Sequence, residues 1–158
     1  MRRTWLTALL ALLVAGCGIQ PTGVIDAGQA PTGVAPGATL YFVDANDRLR
    51  PQRRRTHHLG TIPEALALLL TGPGGGLRTE ITSTAGVTRV FMETTPDVIH
   101  LRVPLATYEV TPLGIDQIVC TALGVWVQSG GSRTTKVRLT FTLATPGSDK
   151  LRTCPLIR

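Results

Sequence analysis

The sequence predicts an α+β domain of two layers: a β-α-β-β-α-β succession with two helices on one face of an open sheet, behind a leader and a flexible tether. Two segments carry apolar residues at helical spacing, and four carry short apolar runs or strict alternation, with turn residues between them. Helices covering one sheet face, with long polar side chains over the other, is the economical packing for such a set.

Taken in order, Leu40-Tyr41-Phe42-Val43 is a short apolar strand, stopped by the turn chemistry of Asp44, Asn46 and Asp47. Arg48 to Pro51 offers a short partner strand before the basic run Arg53-Arg54-Arg55. Thr61-Ile62-Pro63-Glu64 has the form of a capping box, with proline in the first turn, where its missing N–H costs nothing. Ile62, Leu66, Leu69 and Leu70 then recur at helical spacing until Gly72-Pro73 stops the helix. Val87 to Glu93 reads as a strand and Pro96-Asp97 as a turn. In Val98 to Val103, Ile99, Leu101 and Val103 share one face, and Val98, His100 and Arg102 the other. Thr111-Pro112 opens a second helix with an apolar stripe of Ile115, Ile118, Val119, Ala122, Leu123 and Trp126, ended by Gly130-Gly131-Ser132. In the last strand Val137, Leu139, Phe141 and Leu143 are expected inward, with Lys136, Arg138, Thr140 and Thr142 outward.

The open sheet face is therefore expected to carry His100, Arg102, Lys136 and Arg138, with Arg89 beside them. Its rival as a contact surface is the basic loop Arg53, Arg54 and Arg55, which would meet an anionic wall polymer or lipid headgroups.

At 158 residues the chain supplies one domain and its extensions, and 43% apolar residues suffice for a core. The formal charge is +6, carried by 14 arginines and two lysines against ten carboxylates. That excess is modest and no nucleic-acid motif accompanies it, so nucleic acid is not an expected partner.

Residues 1–16 have the parts of an export signal: Arg2 and Arg3, an apolar run from Trp5 to Val14, and small residues before Cys17. A run of ten residues is too short to cross a hydrocarbon core, which needs about 20 apolar residues in a helix. Val14-Ala15-Gly16-Cys17 resembles the lipobox of bacterial lipoproteins, which implies a lipidated Cys17 and anchorage on the outer face of the cell membrane. Residues 17–38 then form the tether, rich in Gly, Pro, Ala and Thr, with PTGV at Pro21 and again at Pro31. Such a stretch buries too little apolar surface to offset its ordering entropy. The folded domain is expected over residues 39–158.

Tyr41-Phe42-Val43, Leu68-Leu69-Leu70, Gly72-Pro73, Gly76-Leu77, Thr79, Ile81 and the later helix with Val119-Cys120-Thr121-Ala122-Leu123 are similar in succession to the GerMN domain. That domain occurs in spore-formation lipoproteins and in the N-terminal part of LpqB-type lipoproteins of actinobacteria. The resemblance covers about residues 38–145 and rests on turns and core positions. It implies a protein-interaction role, with an envelope assembly or the extracellular part of a sensor kinase as partner. Spore-engulfment members carry two such domains and LpqB adds a propeller, whereas one domain is read here.

With Cys17 assigned to lipid, Cys120 and Cys154 remain, and an even pair in an exported domain suggests a disulfide. The alternative is two free thiols. His57-His58 lack any metal-ligand spacing such as H-x-x-x-H, so no metal site is expected. Ser83, Ser129, Ser132 and Ser148 lie outside a G-x-S-x-G context, and the carboxylates are scattered. The expectation is a protein without catalytic chemistry and without a cofactor.

Overall fold

Why the two helices begin where they do is visible in their first turns. The computed structural model describes residues 37–82, 86–143 and 150–158; the leader, Cys17 and nearly all of the tether lie outside them, as do Ser83 and Ser148. Helix α1 spans Ile62–Leu70. The Thr61 N–H donates to the Glu64 carboxylate at 2.7 Å, and the Glu64 N–H donates back to the Thr61 hydroxyl at 3.4 Å. This closes the capping box read from the sequence. Helix α2 spans Pro112–Gln128, and its cap Thr111 accepts a hydrogen bond from the Gly114 N–H at 3.2 Å.

The strands form two sheets. The first is a hairpin of β1 (Thr39–Val43) and β2 (Leu49–Arg53). The second has the order β3-β4-β5-β6, comprising Phe91–Thr94, Val98–Arg102, Lys136–Thr140 and Leu151–Arg152. Strands β4 and β5 are parallel, and α2 is the crossover between them, as a parallel pair requires. The result is an α+β fold with helices against an open sheet.

The first strand departs from the single sheet expected, because another element occupies its free edge. Tyr41 stands opposite Pro51, which has no N–H to offer, so the Tyr41 amide and carbonyl point away from β2. There the Tyr41 N–H donates to the Thr121 hydroxyl at 3.1 Å, and its carbonyl accepts from the Gln117 side-chain amide at 3.0 Å. Val43, at the next outward position, exchanges both backbone hydrogen bonds with Arg78, each at 2.9 Å.

Helix α2 is buried over more than the predicted stripe. Gly114 and every residue from Gln117 to Val125 are buried, because the hairpin, α1 and β5 all pack against it. At Gly114 a Cβ would lie 2.3 Å from the Glu80 carbonyl oxygen, so only glycine allows this approach. Gln117 is 0% exposed, and its carbonyl also accepts the Glu80 N–H at 2.8 Å.

Strand ends differ from the reading for local reasons. The β4–β5 ladder is interrupted at Pro104, which has no amide, and resumes where the Thr142 N–H donates to the Leu105 carbonyl at 2.9 Å. Val137, Leu139 and Phe141 face inward as expected, but Leu143 is 59% exposed. The segment before Phe91 is not strand. Strand β6 was not foreseen; the Cys120–Cys154 disulfide, with Cα atoms 4.8 Å apart, ties the tail beyond it to α2.

Replacing Gln117 with Ala orphans the Tyr41 carbonyl and the Glu80 N–H and is expected to cost roughly 2–4 kcal/mol in urea unfolding, against roughly 1–3 for Thr121→Val. A loss under about 1 kcal/mol for Gln117→Ala would show that these bonds do not hold the hairpin.

Candidate functional site

The register of the second sheet assembles its outer face in rows. Val98 pairs with Lys136, His100 with Arg138, and Arg102 with Thr140. Across the other β4 edge, Glu93 pairs with His100 and Phe91 with Arg102, while Leu151 pairs with Arg138. One row therefore runs Phe91, Arg102, Thr140, and the next runs Glu93, His100, Arg138, Leu151. Successive side chains alternate, so Ile99, Leu101, Val137 and Leu139 go to the core from the same strands.

The structure thus brings four sequence-predicted residues, His100, Arg102, Lys136 and Arg138, onto one surface. Arg102 and Lys136 are exposed, whereas Arg138 is half-buried, with its Nε shielded and without a hydrogen-bond partner. No ion pair among the described residues involves Arg89, Arg102, Lys136 or Arg138. Glu93 is the one carboxylate in the two rows.

Two apolar residues on this face were not among the sequence candidates. Phe91 is 57% exposed and Leu151 44%. The signal for Phe91 was present, since it shares the parity of Arg89 and Glu93. Beside Phe91 lie two shallow hollows, of about 200 Å³ between β3 and β4 and about 390 Å³ bordered by Arg89, Arg102 and Pro104.

The basic loop comes apart as a unit. Arg53 is the last residue of β2, and Arg50 is held by Asp44 at 2.8 Å. The Arg54 guanidinium donates to the Gly72 carbonyl at 2.8 Å, and its backbone N–H donates to the Ala38 carbonyl at 2.9 Å. Nearby Arg78 pairs with both Asp47 and Glu80. Arg53 and Arg55 remain exposed. The arginines of this region largely close turns of the hairpin and the loop beneath it.

His57 and His58 are exposed, and His57 adopts a left-handed backbone with φ of 63°. No three His, Cys, Asp or Glu side chains gather to hold a metal ion among the described residues. A recess of about 350 Å³ beside α1 is lined mainly by apolar groups, including Ala38, Leu59, Ala65 and Leu68, with His58 and Glu64 also on its wall. Burial raises the pKa of Asp116 on α2, partly offset by the Arg152 charge nearby. None of the described helices is long and apolar enough to cross a membrane. Neither a protein-family model nor a curated protein matches the sequence, and no solved structure matches the fold.

In the hairpin turn, Asp44 accepts hydrogen bonds from Arg50, Arg48 and Asn46, which hold its pKa down at about 2 from the ordinary 3.8. A depressed carboxylate pKa stabilises the fold above the ordinary value and loses that contribution as pH falls through the folded one. The stability gap between the parent chain and Asp44→Asn is therefore expected to be full above about pH 4 and to close towards pH 2, as read by urea melts across that range. A gap that stays constant would contradict the assignment.

Proposed function

We propose that the chain is an exported lipoprotein, anchored through lipid on Cys17, whose GerMN-like domain is a protein-interaction module with no catalytic chemistry. Its contact surface is the outer face of the β3–β6 sheet, and its partner is another envelope protein. By analogy with LpqB-type lipoproteins, the extracellular part of a sensor kinase is a partner of the right kind.

The observation that carries this reading is the pairing of unmatched cations with exposed apolar side chains on one surface. Arg102 and Lys136 form no ion pair among the described residues, and Phe91 and Leu151 are exposed among them. Interfaces are enriched in arginine and aromatic residues of this kind, and such anchors carry most of the binding energy. Charges around them set partner choice and encounter rate.

The basic-loop reading has less support. With Arg50 and Arg54 engaged inside the domain, Arg53 and Arg55 remain to meet an anionic surface. Two basic groups contribute only about 2 kcal/mol near a charged membrane.

Crosslinking on intact membranes followed by pull-down tests the preferred reading. Arg102→Glu with Arg138→Glu is expected to reduce capture of the partner severalfold while Tm moves by no more than about 4 °C. Undiminished capture would remove the sheet face as the contact surface.

A further inference from the structure

We propose that the free edge of β3 takes an added strand from the partner, an extended acidic segment with a carboxylate within reach of Arg89 and Arg102. This rests on the sheet-face reading above and specifies how the partner is held.

The geometry begins at the β3–β4 turn, where the Thr95 N–H donates to the Val98 carbonyl at 2.9 Å. Antiparallel pairing alternates, so Glu93 and Phe91 turn their amides and carbonyls towards β4, and Met92 and Thr94 turn theirs away. No described residue hydrogen-bonds to those outward groups of Met92 and Thr94.

The other sheet edges are covered or blunted. The free edge of β1 is taken by Gln117, Thr121 and Arg78. The outer edge of β2 carries Pro51, which lacks an amide, and β6 has two residues and a disulfide just beyond it. Proline, brevity and covering groups are the usual ways of blunting an edge. Strand β3, four residues without proline, has none of these protections among the described residues except modest length. An edge of this kind is what a partner strand extends by main-chain hydrogen bonds, with side chains giving specificity.

Charge selects the occupant. Arg89, Phe91 and Arg102 border one hollow, and neither arginine has an ion-pair partner among the described residues. An incoming strand sets one side chain opposite Phe91, next in the row Phe91, Arg102, Thr140, where a long acidic side chain can reach across Phe91 to the guanidinium groups. One row along, Glu93 favours a polar or basic neighbour. A second copy of β3 is the rival occupant, and it would show as a dimer of the chain.

The test uses the full chain and a synthetic peptide alternating Val with Thr and bearing one central Glu. Fluorescence polarisation compares it with a version carrying Lys for Glu and a version N-methylated on its pairing edge. The acidic peptide is expected to bind about tenfold more tightly than the Lys peptide, and the N-methylated one to bind far more weakly. Thr94→Pro removes an amide that points off the sheet, so it should keep the β3–β4 ladder and lose the acidic peptide. Arg102→Glu should weaken that peptide about tenfold.

Equal binding of the N-methylated peptide overturns strand addition whether or not Thr94→Pro folds. Undetectable binding of all peptides, or a dimer of the chain abolished by Thr94→Pro, overturns the proposal too. Partner capture by the parent chain, lost on Arg102→Glu with Arg138→Glu, would in those cases still uphold the broader sheet-face reading.

Discussion

Two side chains on one buried helix decide where the hairpin sits. The Tyr41 amide and carbonyl face outward because Pro51 stands opposite, and left bare in the interior they would each carry a desolvation penalty of about 1–3 kcal/mol. Thr121 and Gln117 satisfy them, and Gln117 uses its remaining oxygen for the Glu80 amide. Polar groups at 0% exposure on a helix are tolerable when hydrogen-bonded, and each of these has a partner. Helix α2 can therefore lie against the hairpin edge and still carry the crossover between β4 and β5 on its other side. Among the described residues, the second sheet is in turn left with one face free of helices.

That free face has a different physical character from the rest of the surface. Around the hairpin, Arg50, Arg54 and Arg78 each have a partner that closes a turn or joins two segments. On the outer sheet face, Arg102 and Lys136 have none among the described residues and flank exposed apolar side chains. Exposed ion pairs contribute little to stability, so cations left unpaired cost the fold little and remain available to a partner. The contrast between arginines used internally and arginines left free separates scaffold from candidate surface within one basic chain.

Much of this was legible in the sequence where local chemistry is decisive. The capping box at Thr61 and Glu64, the start of α2 at Thr111-Pro112, and the alternation through β4 and β5 all depend on near neighbours or strict period. The sheet membership of β1 was not legible, since it depends on Gln117 and Thr121, some 80 residues away and hidden within an apolar run. Nor was the division of labour in Arg53-Arg54-Arg55, because the Arg54 partner is a backbone carbonyl at Gly72 rather than any acidic residue. The outward position of Phe91 was legible in its parity with Arg89 and Glu93.

Among the described residues, every sheet edge except that of β3 is covered or blunted. Native-state hydrogen exchange on the full chain measures this residue by residue. The amides of Tyr41 and Val43 should exchange only on large-scale unfolding, while those of Met92 and Thr94 should exchange at rates near those of an exposed chain. Protection of Met92 and Thr94 equal to that of Tyr41 would show that the β3 edge is already covered and would contradict the account.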